Sequence, residues 1–188
     1  DPARAALFGL SGFGRHASIG GLQDLDTFLR YFEKVRGRTM RVAACIPEEA
    51  FESSPIGKGF TFGEILRHLA GLERYMFAEN AAGRNSSYPG HDVSMAEGRE
   101  ATFAYMRRLH DEAMDIFRAL GDEGMLAPCV TPGNAAMPAW KWLRSMIEHE
   151  AHHRGQIYTY LSVLGITTPP LYGLTAEEVM ARSVERAS

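Results

Sequence analysis

The sequence predicts an all-α protein, a four-helix bundle with a short extra helix near the C-terminal end. No stretch alternates apolar and polar residues with period two over a convincing length, so a sheet is not expected. Four segments of roughly 20 to 27 residues carry apolar side chains at steps of three and four, the length and spacing of bundle helices. Capping residues stand where these segments begin and end. With 188 residues, 45% of them hydrophobic, the chain is long enough to bury a sizeable core in one domain.

Residues 1 to 21 hold Gly9, Gly12, Gly14, Gly20 and Gly21 and read as an irregular arm, with the bundle domain at 22–188. Leu25, Phe28, Phe32, Val35, Thr39, Val42 and Ile46 then mark a first helix that should stop at Pro47. Thr61 and Glu64 have capping-box spacing, with Phe60 and Ile65 placed as a hydrophobic staple. The second helix starts there, carries Ile65, Leu69, Leu72 and Met76, and ends near Gly83. Ser94 and Glu97 repeat the spacing before a third helix with Met106, Leu109, Ala113, Ile116 and Leu120 on one face, stopped by Gly121. Residues 128–138 read as a loop, and Pro138 suits the first turn of a fourth helix running to Gly165. Thr175 and Glu178 cap the short terminal helix.

Composition excludes several classes. A net charge of −3 gives no basic footprint for nucleic acid. No apolar run approaches the roughly 20 residues of a membrane span, and the start lacks a signal-peptide pattern. Cys45 and Cys129 stand far apart, outside any CxxC spacing, which argues against a disulfide framework or a cysteine-rich zinc site. A cytoplasmic location is expected. Cys45 reads as a buried, inert thiol near a helix end.

The chemistry concentrates in His149, Glu150, Ala151, His152 and His153. His149 and His153, four apart, share one helix face and interrupt the apolar stripe of Trp142, Met146, Ile157, Tyr160 and Leu164, so both should face the bundle interior. His68 lies three residues after Ile65 and four before Leu72, on or beside the buried stripe of the second helix. These three imidazoles can converge on one metal ion and leave positions open for water or substrate. His152 points about 100° away from His153 around the helix. Glu150, His152 and Gln156, with Glu148, are candidates to support the imidazole N–H groups. His110 lies near an apolar face of the third helix, while His16 and His91 fall in loops and read as solvated. Trp140 and Trp142 read as packing anchors. Arg67 and Arg154 flank the histidines and read as solvent-facing.

His149, Glu150 and His153 also satisfy HExxH, in which the glutamate acts as base on a metalloprotease zinc site. The extended pattern fails, since Gln156 and Thr159 stand where glycine and histidine are required. A downstream glutamate ligand would have to be Glu177 or Glu178.

The run from Glu148 through His149, His153, Arg154, Gly155 and Gln156 to Ile157 resembles the fourth-helix signature of the DinB/YfiT-like metalloenzymes. The segment from Phe62 through His68 to Glu73, the order of helices and the Pro169–Gly173 stretch are similar to that family too, so the likeness runs from about residue 22 onward. The resemblance implies a left-handed up-down-down-up bundle with His68, His149 and His153 on a divalent metal, zinc or nickel. It implies a small-molecule substrate and a homodimer. The family includes transferases and isomerases dependent on low-molecular-weight thiols such as bacillithiol, mycothiol and glutathione. The same ligands could serve hydrolysis, or a metal-binding module without turnover. A bundle whose histidines were merely core would hold no metal.

Overall fold

The computed structural model describes residues 21–185; His16 and all but the last residue of the expected arm lie outside them. Four long helices form the body. Helix α1 spans Leu25–Ala43 and α2 spans Phe62–Leu72, continued by a π-helical turn, Glu73–Ala78, and a last α turn, Glu79–Ala81. Helix α3 spans Gly98–Leu126, α4 spans Ala139–Val163, and a short α5 spans Ala176–Glu185. A small antiparallel hairpin, β1 Pro128–Val130 and β2 Ala136–Pro138, occupies the segment expected to be loop.

Local chemistry sets most boundaries. The Asp24 carboxylate accepts from Thr27 N–H and opens α1. Both bonds of the Thr61–Glu64 capping box are present at α2. At the end of that helix, Gly83 adopts φ +74°, and the N–H groups of Gly83 and Arg84 return to Asn80 and Glu79 carbonyls. One expectation at α3 needs correction. Ser94 and Glu97 form no box: Asp92 caps a single 3₁₀ turn, Val93–Met95, by accepting from Ser94 N–H, and α3 starts one residue after Glu97. Gly121, at φ +62°, ends the first helical stretch of α3 as expected, and a second stretch beyond the kink runs to Leu126.

The directions of the helices follow from who meets whom. Arg67 reaches Thr102 and Glu73 reaches His110, so α2 and α3 run parallel. Phe28 and Phe32 share a core cluster with Phe77, Leu143 and Met146, whereas Val42 shares another with Phe62, Ile157 and Tyr160. Helix α1 is therefore antiparallel to α2 and parallel to α4, which is the up-down-down-up order.

The two apolar clusters lie on either side of a buried polar layer with one member from each long helix. Arg36 of α1 donates to Glu73 at the end of α2 and forms an ion pair at 3.0 Å with Glu150 of α4. Glu73 is also bonded to His110 Nδ1 of α3 at 2.7 Å. Arg36, Glu73, His110 and Glu150 are 5%, 1%, 7% and 2% exposed, so water screens none of them. The π turn makes this layer possible. It rotates the buried face of α2 so that Glu73, Phe77 and Ala78 face inward, while the expected Leu72 and Met76 are only half buried. Arg154, expected in solvent, is instead buried below this layer, where it donates to the Val35 carbonyl at 3.4 Å.

Removing one partner of a buried ion pair leaves an uncompensated charge, which costs about 3–5 kcal/mol. Arg36→Met should therefore lower unfolding stability by about that amount, read from the urea midpoint at unchanged slope.

Candidate metal centre

Helices α2 and α4 bring His68, His149 and His153 together, with one ring nitrogen of each within 4.8 Å of the others. His68 Nε2 and His149 Nε2 lie 3.1 Å apart. His153 is buried, the other two half buried. No fourth His, Cys, Asp or Glu ligand atom joins this group among the described residues.

These imidazoles are held neutral. Burial, then the neighbouring His149, His153 and His91, push His68 down to about 3. Burial, then His153 and His152, push His149 down to about 4. Burial also lowers His153, against the opposing bond from Gln156. A neutral ring nitrogen is a metal donor, so desolvation has already removed the competing protons.

Two side chains fix ring orientation. Gln156 Oε1 lies 2.9 Å from His153 Nδ1, and Gln156 in turn donates to the Tyr160 hydroxyl at 3.1 Å. The Tyr88 hydroxyl lies 2.9 Å from His68 Nδ1. With their Nδ1 atoms so engaged, His68 and His153 turn Nε2 toward the cluster. Burial pushes the Tyr88 phenol up to about 12, so it keeps its proton.

Tyr88 and His91 belong to the long crossover between α2 and α3, a segment whose lack of periodicity concealed them. His91 is half buried rather than solvated, its ring 4.5 Å from Phe60 and 5.4 Å from His68 between centroids. Phe60 also lies against His68 and His153, walling one edge of the cluster. Arg67, expected in solvent, is fully buried: it clamps Glu52 through two bonds of 2.7 and 2.8 Å and donates to the His91 and Ala96 carbonyls. It thus straps the crossover onto α2. The sequence signal was Gly71, a glycine inside a helix, where a Cβ would fall 2.8 Å from the Tyr88 ring.

Other candidates stand elsewhere. Glu150 turns away from the imidazoles to Arg36, and its burial leaves the HExxH motif without a base at the histidines. His152 is exposed, touching His153 ring to ring at 4.9 Å. Glu148 is exposed and pairs with Arg144. Glu177 and Glu178 are exposed on α5, with Glu178 committed to the Thr175 capping box. His110 belongs to the polar layer, where burial opposes its charge but Glu73 outweighs it and raises its pKa. Trp142 packs on Phe77 at 4.6 Å, as expected of an anchor. Cys45 is half buried, its thiol donating to the Arg41 carbonyl; Cys129 is the buried thiol. A cleft of about 570 Å³ between Asn80–Ser86 and Pro128–Asn134 contains none of the three histidines.

A four-helix bundle with three neutral imidazoles on two facing helices carries the donor set from which metal sites in bundles are built. The chain belongs to the DinB family, whose model matches residues 22–185. The uncharacterised protein YrdA of Bacillus subtilis (strain 168) is 20% identical over 156 residues, 83% of this chain and 92% of YrdA. A DinB-like protein of Bacillus cereus ATCC 10987 superposes with a TM-score of 0.66 at 17% identity, covering 80% of this chain and 99% of that one. YfiT of Bacillus subtilis, described as a probable metal-dependent hydrolase with an unusual four-helix bundle topology, gives 0.61 at 15% identity over 84% and 97%. Among the described residues no helix is long and apolar enough to cross a membrane.

Two consequences are measurable. The site histidines have folded pKa values below the unfolded value of about 6.5, so an acidified unfolded chain takes up protons that the folded one refuses. Metal-free protein should lose thermal stability as pH falls from about 6.5 toward 4, more steeply than a His68→Ala/His149→Ala/His153→Ala variant. His110 has the opposite sign: its raised pKa contributes stability that is full below about 6.5 and lost as pH rises through the folded value. Gly71→Ala should displace the Tyr88 ring and cost about 1–3 kcal/mol, read by chemical denaturation together with the change in Tyr88 ring resonances.

Proposed function

We propose that this protein is a metal-dependent enzyme acting on a small molecule, a hydrolase or a thiol-dependent transferase, with His68, His149 and His153 as the ligands of a divalent ion. The observation that carries the reading is the cluster itself: three ring nitrogens within 4.8 Å, kept neutral by burial, with no fourth ligand beside them. Three protein ligands are the form of a catalytic site, because closed structural zinc sites use four. An all-imidazole donor set suits zinc, nickel, copper or iron over magnesium or calcium, and within that group we favour zinc or nickel. The chemistry such an ion supplies is Lewis-acid activation of water or a thiol near neutral pH.

The chain's own residues define the rest. Gln156 Oε1 favours the His153 tautomer that leaves Nε2 free to bind, and Tyr88 engages His68 Nδ1 so that its Nε2 faces the cluster. Phe60 excludes water from one edge. The burial of Glu150 against Arg36 argues against a metalloprotease base at this position. The description of YfiT as a probable metal-dependent hydrolase agrees with this reading. We further propose a cytoplasmic homodimer.

Elemental mass spectrometry on untagged protein, purified without a nickel column, tests the centre. About one equivalent of a transition metal in the native chain, absent from the triple alanine variant at His68, His149 and His153, is the expected result. A native chain that folds yet takes up neither zinc nor nickel overturns it. Ester hydrolysis and thiol conjugation, assayed in parallel on the loaded protein, separate the two activities, and the absence of both would leave a metal-binding module without turnover.

A further inference from the structure

The Tyr88 hydroxyl lies between two imidazoles, 2.9 Å from His68 Nδ1 and 2.7 Å from His91 Nδ1. A phenol has one proton to give. When His68 binds through Nε2, its Nδ1 carries the hydrogen and donates to the Tyr88 oxygen, so the Tyr88 proton is free to go on to His91. The chain of bonds then has one direction, from His68 to Tyr88 to His91. His91 Nδ1 is an acceptor, and a neutral His91 must carry its own hydrogen on Nε2.

That Nε2 makes no hydrogen bond to any described residue, although the ring beneath it is held from three sides. Phe60 lies tilted against it, Tyr88 bonds its Nδ1, and the Arg67 guanidinium, itself fully buried, donates to its backbone carbonyl at 2.9 Å. Tyr88 in turn is seated on the bare backbone of Gly71. A half-buried imidazole, positioned this closely beside the cluster with one donor unspent, is a built feature of the centre. The ligand histidines cannot fill this role, since a ring that binds the ion through one nitrogen points its remaining N–H away from the ion.

We propose that His91 is a ligand-binding residue of this centre, an Nε2–H donor set by Tyr88 that hydrogen-bonds an anionic group of whatever molecule is taken up beside His68, His149 and His153. The inference rests on the metal-centre reading. It makes the crossover a recognition element for carboxylate or thiolate ligands and gives Tyr88 two tasks, one toward each imidazole.

The test uses the full chain loaded with cobalt(II), whose visible spectrum reports binding, and azide as the anionic probe. His91→Phe keeps a ring on Phe60 but removes the donor, while His91→Gln keeps both an acceptor for Tyr88 and an N–H. The expected result is unchanged cobalt stoichiometry in all three proteins, azide binding weakened about tenfold in His91→Phe, and recovery in His91→Gln. A loss of that size is what one hydrogen bond to a charged group contributes. Equal azide affinity in wild type and His91→Phe, both loaded with cobalt, overturns the donor role while leaving the metal centre standing. Loss of cobalt from His91→Phe also overturns it, making His91 part of the metal's own support. Failure of the wild type to bind cobalt brings down the metal-centre reading and this inference with it.

Discussion

The fold is organised around the guanidinium of Arg36. It stands between Glu73 and Glu150 at the level where all four long helices meet, and through Glu73 it is linked to His110. Apolar packing above and below tolerates sliding, because one leucine replaces another at small cost. A buried charge does not: its partners must arrive at one height on each helix or remain unpaired in a medium that penalises them heavily. The layer therefore acts as a register pin. Once the heights are set, His68 on α2 and the two histidines on α4 are set too, since Glu73 and Glu150 share those helices.

The centre and the layer treat histidine in opposite ways. His68, His149 and His153 have lost their charge to burial and to one another, while His110 is pushed toward its charged form by Glu73 although it is more deeply buried than two of them. Burial alone does not decide the state of an imidazole. The neighbour does: another imidazole gains nothing from a proton, and a carboxylate does. Protonation therefore works against the cluster, and loss of the His110 proton works against its bond to Glu73.

Much of this was legible in the sequence. Apolar spacing located the four helices, the Thr61–Glu64 pair placed the start of α2, and interruption of the stripe by His149 and His153 placed both histidines at the interior. Other features were hidden because their cause is tertiary. The π turn follows from the demand that Glu73 reach Arg36, and nothing local in that segment announces it. Arg67 and Arg154 looked like surface residues because arginine usually is; only the carbonyls and carboxylates gathered around them make burial affordable. Gly121 was readable as a helix stop and its left-handed φ breaks α3 there; the short helical stretch beyond it, which leads to the hairpin, was not. Glu150 matched a protease motif by spacing alone, since a spacing specifies a face only relative to its neighbours.

Because α2 and α3 run parallel, the chain leaving Ala81 must travel back along the bundle before Gly98 can begin the next helix. An up-down-up-down bundle joins such neighbours with a few residues and has no segment in this place. Here the return path is obligatory, and it carries Tyr88 and His91 past the histidines. The helices that hold the three imidazoles are bound by the periodicity of the core, whereas the return path is bound by its length and by anchors at Arg67, Gly71 and the Tyr75 carbonyl, which accepts from Ser87 N–H. The imidazole cluster and the crossover beside it thus lie in separately variable parts of the chain. Descent could reshape the second by substitutions between residues 84 and 97 without disturbing the bundle.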